Sequence, residues 1–170
     1  TLSFGDPWVI TDNQLPTLKN LNGQNGDIPL HLLDFSTAPP FAGGGTDISP
    51  FQIEMAEQLA MLAHLVNTGA AYGGGNYNEA CYKLTEDIDL APYGRDTGWT
   101  RMGRYDNDND TYYFKGTLDG NGKTVSNLKI NNPTANVLGL FGYIGSSGIV
   151  KSLGIENCDI TGNVQVSGLA

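Results

Sequence analysis

Basic residues are scarce in this chain: Lys and Arg number 9 of 170 residues against 18 Asp and Glu, for a formal net charge of −9. They form no cluster, so a phosphate backbone or an anionic membrane surface meets a repulsive field and nucleic acid is excluded as a partner. No run of 18 apolar residues exists, which argues against membrane insertion, and the opening TLSFGDPW lacks the charged-then-apolar pattern of a signal peptide. A mature piece of a longer exported protein has the same appearance. Cysteine is limited to Cys81 and Cys158, too few for a disulfide framework. Catalytic signatures are missing as well: there is no HExxH, no serine in a nucleophile elbow, and no His beside either Cys in a recognisable pattern.

Glycine, by contrast, is abundant at 23 residues, while apolar residues make up 39 per cent, a turn-rich but not disordered composition. Two segments recur. VSNLKI at Val125–Ile130 returns as VKSLGI at Val150–Ile155, an offset of 25 (150 − 125), and VLGLF at Val137–Phe141 returns as VSGLA at Val166–Ala170, an offset of 29 (166 − 137). Such a period marks a solenoid. Within the repeat, Val150, Leu153, Ile155, Cys158 and Ile160 step by 3, 2, 3, 2. A step of 2 keeps one face of a strand, and a step of 3 inserts one residue at a bend. Asn127, Ser152 and Asn157 stand at the bends, where Asn tolerates left-handed backbone angles. Short strands joined by sharp corners, with Val, Leu, Ile and Cys158 pointing inward, cannot bury their apolar row alone. Stacking coil on coil corrects that, and a parallel β-helix is expected.

The string GLFG (Gly139, Leu140, Phe141, Gly142) followed by VKSLGIENCDITG resembles the GLUG repeat of bacterial cell-surface adhesins and of non-catalytic parts of some secreted immunoglobulin-cleaving peptidases. YKLTEDIDL (Tyr82–Leu90), WTRMG (Trp99–Gly103) and FKGTLDGNGKTVSNLKI resemble the segment that precedes those repeats, so the likeness covers about residues 51–170. It implies a right-handed β-helix on an extracellular protein, with no activity established for the repeat. The fold expected is therefore all-β with one capping helix, a right-handed parallel β-helix carrying an irregular N-terminal segment.

Along the chain, residues 1–33 hold Trp8, Ile10, Leu15 and Leu18 punctuated by Pro7 and Pro16, short strands and turns that resemble the closing segment of a preceding unit. Residues 34–50, rich in Pro, Gly, Ser and Thr, are expected as a linker; their Gly43–Gly45 run has no following Lys and no phosphate-loop context. Residues 51–170 are expected as a capping helix and first coils. In the helix, Met55, Leu59, Leu62 and Val66 fall at steps of 4, 3 and 4, with Met55 at the N-cap, where the resembled family has Thr, and Gly69 as the stop. Ala70–Asn78 is a Gly-rich loop, Cys81–Leu90 the first coil with a corner near Asp87, and residues 104–111 an acidic surface loop.

Asp106, Asp108 and Asp110 alternate like calcium ligands, but the Gly and Glu of a helix-loop-helix site are replaced by Thr111 and Thr117, which leaves a looser calcium loop or a solvated acidic turn. Glu86, Asp87 and Asp89, with Asp119, are the carboxylates from which a polysaccharide hydrolase or lyase would draw its pair. Leu84, Ile88 and Leu90 turn them to solvent, where nothing raises a pKa, so a polar outer face is favoured. Asp119-Gly120-Asn121-Gly122 is a turn signal. His31 and His64 have no ligand-spaced neighbours. Tyr105, Tyr112 and Tyr113 are the aromatics on which a sugar would stack. The function expected is a non-catalytic structural or adhesive module of a surface or secreted protein, located extracellularly. Its partners would be an extracellular glycan or protein, neighbouring repeats of its own chain, or a second copy recruited by the open coil edge at Ala170.

Overall fold

The computed structural model describes residues 40–105 and 110–170, together with the backbone of two short strands nearer the N-terminus. The chain divides into Thr1–Leu33 and Asp34–Ala170. In the first unit β1 (Trp8–Val9) pairs antiparallel with β2 (Thr17–Leu18). His31 lies outside the described residues.

In the second unit β3 (Phe51–Ile53) alternates buried, exposed, buried, as a strand with one face inward must. Helix α1 (Ala56–Thr68) follows. It ends as the sequence predicts: Gly69 takes a left-handed φ of 66°, and its N–H turns back to the Leu65 and Val66 carbonyls. Its start is weakly capped, because Met55 has extended backbone and offers no side-chain acceptor, leaving Gln58 Oε1 to accept from the Glu54 N–H at 2.8 Å. Met55, expected on the inner stripe, is 46 % exposed, since an N-cap residue lies off the helical face. Leu59, Leu62 and Val66 are buried, and so are Ala60, Ala63 and Leu65, a wider arc than the predicted stripe. Residues 34–50, expected as a linker, are packed structure from residue 40 onward. Phe41 is buried with its ring centroid 5.4 Å from that of Phe51, and the Gly45 carbonyl accepts from Cys81 at 2.9 Å.

A small antiparallel hairpin, β4 (Ala71–Tyr72) with β5 (Gly75–Asn76), leads into the main body. There the strands are β6 (Cys81–Leu84), β7 (Ile88–Asp89), β8 (Thr117–Asp119), β9 (Thr124–Ser126), β10 (Lys129–Asn131), β11 (Ile149–Lys151), β12 (Gly154–Glu156) and β13 (Asp159–Thr161). They form three ladders, each parallel throughout: β3-β6-β8-β11, β7-β9-β12 and β10-β13. The fold is mainly β with one helix, and its sheets are small and unclosed.

The register corrects the predicted repeat. Val125 lies beside Ile155 and Ile130 beside Ile160, offsets of 30 (155 − 125 and 160 − 130), and Leu118 lies beside Val150, an offset of 32 (150 − 118). The 25-residue match equates one corner with the next corner round, because every corner carries the same chemistry. Those corners are as expected: Asn127, Ser152 and Asn157 have φ of 57°, 53° and 52°. The DGNG turn uses Asn121 and Gly122 at φ 54° and 75°, with Asp119 Oδ1 accepting from the Asn121 N–H at 2.8 Å. A Cβ on Gly120 would stand 2.5 Å from the Ser152 carbonyl oxygen, so only glycine lets one corner sit on the next.

Leu118, Val125, Leu128 and Ile130 form a buried row, continued by an aromatic column in which Phe51, Tyr82, Phe114 and Phe141 succeed one another at centroid distances of 5.6, 6.2 and 5.2 Å. On the outermost ladder members Val150, Ile155 and Ile160 are half-buried. Cys158, predicted inward, is an exposed free thiol there, and Cys81 is also free. The residue 30 positions before Cys158 is Leu128, fully buried (158 − 128 = 30), so the position is interior only where a further strand layer covers it.

Two outcomes follow from this packing. Leu118→Ala lowers the unfolding free energy by about 2–5 kcal/mol in urea titration, while Val150→Ala, its partner in register, costs about 1 kcal/mol or less; equal losses would refute the inner and outer ranking. Met55→Thr supplies the missing cap and raises stability by about 0.5–1 kcal/mol, and an unchanged midpoint would show that the cap is already satisfied.

Candidate functional site

Among the described residues the stacked segments differ most in length at one place. Met102 lies beside Phe141 and Phe114 beside Ile144, both parallel, so 12 residue steps (114 − 102) in one layer stand against 3 (144 − 141) in the next. The surplus of nine falls between the bridges at Met102 and Phe114, and the segments next to those two residues are the legs of this loop. It carries Arg104, Tyr105, Tyr112 and Tyr113.

Two asparagines from distant parts of the chain hold the legs of that loop. Asn67, in the last turn of α1, donates from Nδ2 to the Arg101 carbonyl at 2.9 Å and accepts at Oδ1 from the Gly103 N–H at 2.9 Å. Its own carbonyl takes Arg104 Nε at 2.8 Å. Asn78, the buried polar residue among the described ones, donates to the carbonyls of Thr111 and Tyr113 at 2.9 and 3.1 Å. The two legs meet where the Arg104 N–H reaches the Tyr112 carbonyl at 3.2 Å. Side-chain amides matched to backbone groups hold the two described legs without a disulfide.

The loop displays aromatic rings. Tyr113 stacks on Tyr143 at 5.1 Å with planes 15° apart, and Tyr105, half exposed, lies 5.9 Å from the same ring. The Arg104 guanidinium sits 3.5 Å over the Tyr112 ring. Of the three predicted tyrosines, two thus share a stack through Tyr143, and the third carries a cation. Tyr143, Arg104, Arg101 and the asparagine clamps escape sequence reading: Asn67 and Arg101 are 34 positions apart, and no local pattern links them.

The GLFG motif supplies the floor. Leu140 and Phe141 are fully buried, and the Leu140 carbonyl accepts from Trp99 Nε1 at 3.1 Å and from the Met102 N–H at 3.0 Å. On the opposite side Leu140 and Phe141 donate to the Gly168 and Leu169 carbonyls at 3.1 and 2.7 Å. Leu138 lies beside Val166, a spacing of 28 (166 − 138) rather than the predicted 29. Gly142 lets Arg101 pass, since a Cβ there would meet the Arg101 Nε at 2.8 Å. Beside this floor a cleft of about 260 Å³ is lined by Asn67, Thr97, Trp99, Arg101, Arg104 and Asn132, among others.

The predicted carboxylates serve the corners. Asp87 Oδ1 accepts from the Thr124 N–H at 2.8 Å. Asp89 Oδ1 takes the Asn127 amide at 2.8 Å and the Ala91 N–H at 2.9 Å, and those two bonds, the first foremost, hold its carboxyl below the usual value. Glu86 and Asp119 pair with Lys123 and Lys151 at 3.9 and 3.5 Å. Asp106 and Asp108, two of the three calcium candidates, lie outside the described residues; Asp110 is described and has a φ of 56°. Among the described residues no three metal-ligating side chains come together. No described helix is long and apolar enough to cross a membrane.

No family model matches the chain, and no solved structure matches it. Two curated relatives do. One is a protein named halomucin from Haloquadratum walsbyi, 37% identical over 129 residues that make up 74% of this chain and 1% of the relative. The other is a putative Gly-rich membrane protein from Evansella cellulosilytica, 36% identical over 134 residues, 77% of this chain and 14% of the relative. The chain spans a small part of either protein.

Asp89, with its pKa lowered, contributes stability that is present above the unfolded carboxylate value and is lost as pH falls through the folded one. The urea midpoint is therefore expected to hold from pH 7 to about pH 5 and to drop below about pH 4. Asp89→Ala lowers the midpoint at pH 7 and shallows the acid loss; an acid limb of unchanged steepness would contradict this.

Proposed function

We propose that residues 51–170 are the capping helix and first coils of a right-handed parallel β-helix of the GLUG type. On this reading the segment serves as a non-catalytic adhesive module of a cell-surface or secreted protein, and the rings of Tyr105, Tyr113 and Tyr143 are its glycan-binding face. The surplus loop carries the proposal. In stacked-repeat proteins, insertions gather on one face, and that face is where ligands are met. Here the insertion is pinned at both legs by Asn67 and Asn78, and it presents Tyr105 and Tyr113 against Tyr143. Pyranose rings offer an apolar C–H face to such a surface.

Three parallel ladders whose members recur in chain order support the stacked-coil reading, and the right hand is the one parallel crossovers take. The names of the two relatives, halomucin and putative Gly-rich membrane protein, support a surface or membrane-associated setting. A polysaccharide-cleaving enzyme is less well supported. Asp87, Asp89 and Asp119 each cap a corner, and Asp89 is held in its charged form, opposite to what a general acid needs.

Glycan-array binding by the intact chain tests the proposal. Tyr105→Ala and Tyr143→Ala, with unchanged circular dichroism, should each weaken the best ligand about tenfold. Binding unaffected by both substitutions, or no glycan bound at all, would remove this face as the site.

A further inference from the structure

Resting on that glycan reading, we infer that the cleft beside the tyrosines holds the carboxylate of an acidic sugar, a uronic-acid residue, between Arg101 and Arg104. The chain has three arginines, and two of them line this one cleft. In a protein of net charge −9 every cation has carboxylates to choose from, and four of the five described lysines take them: Lys115, Lys123, Lys129 and Lys151 pair with Asp or Glu at 3.0–3.9 Å. Among the described residues neither Arg101 nor Arg104 has a carboxylate partner. Arg101 Nε is buried and has no acceptor among the described residues. A buried donor left unpaired is costly, and a guanidinium presents its donors as a fork matched to a carboxylate.

The site is built to keep Arg101 there. Its backbone is clamped through its carbonyl by Asn67, and its stem crosses the bare Cα of Gly142, where a Cβ would stand 2.5 Å from the Arg101 Cδ. Arg104 is anchored by Nε on the Asn67 carbonyl and by its plane on Tyr112, and its terminal amino groups meet no carboxylate among the described residues. Thr97 and Asn132 on the cleft wall supply hydroxyl and amide groups of the kind that meet sugar hydroxyls. Arg104, on the cleft wall, lies over the Tyr112 ring and directly precedes Tyr105 in the chain, which joins the cleft to the aromatic segment. The chain's overall negative field disfavours densely charged polyanions and leaves an isolated carboxylate among neutral hydroxyls as the fitting ligand.

Isothermal titration of the full chain with a glucuronate-containing trisaccharide, and with the same trisaccharide carboxyl-reduced to the neutral sugar, tests this. The acidic form should bind about tenfold or more tightly. Arg101→Gln should abolish that preference while leaving the neutral form unchanged, Arg101→Lys should restore it only in part, and Tyr105→Ala should weaken both forms alike. Equal affinity for the two sugars, unchanged by Arg101→Gln and reduced by Tyr105→Ala, would overturn the cleft assignment and leave the tyrosine face standing. Failure of both sugars to bind would overturn both. A short poly-aspartate peptide competing as well as the acidic sugar would also overturn it.

Discussion

Parallel pairing between residues 30 to 37 positions apart is the constraint on which the rest of the described second unit depends. The strands of the main body are two to four residues long, and none has enough hydrogen bonds or apolar surface to persist alone. Each is held because the layer before it offers a complementary edge and an apolar residue at the same height, as Leu118 does for Val150 and Val125 for Ile155. Burial then accumulates in a column, from Phe51 through Tyr82 and Phe114 to Phe141. Exposed cross-ladder pairs such as Lys129 with Asp159, at 3.9 Å, add little beside it.

That regularity also defines the site by contrast. Where consecutive layers differ by only one or two residues, corners stack on corners and the surface carries turn chemistry. Where they disagree, between Met102 and Phe114, the extra chain needs its own support. It obtains it from Asn67 and Asn78, whose amides satisfy backbone groups that would otherwise be left unpaired. Helix α1 therefore has a second role besides its buried face, because its last turn positions the arginines. Gly142 links both roles: a motif glycine that keeps the ladder close also makes room for a cationic side chain.

Much of the local structure was legible in the sequence for physical reasons. Left-handed corners at Asn127 and Asn157, the helix stop at Gly69 and the DGNG turn each rest on a residue whose backbone preference overrides its surroundings. The register was not legible, since Asn127 and Ser152 open different sides of the layer with the same chemistry, and similarity between them slides the alignment by one corner. Met55 and Cys158 misled because spacing reports which face a residue belongs to and not whether anything covers that face. The tyrosines stood out by type, but Arg101, Arg104 and Tyr143 acquire meaning only once distant segments are brought together.

Backbone nuclear Overhauser contacts on isotopically labelled chain test the pairing most directly. Strand-to-strand contacts linking Val125 with Ile155, Ile130 with Ile160 and Leu118 with Val150, all in parallel sense, are the predicted result. Contacts linking Val125 with Val150, or antiparallel contacts between Thr124–Ser126 and Lys129–Asn131, would contradict the account.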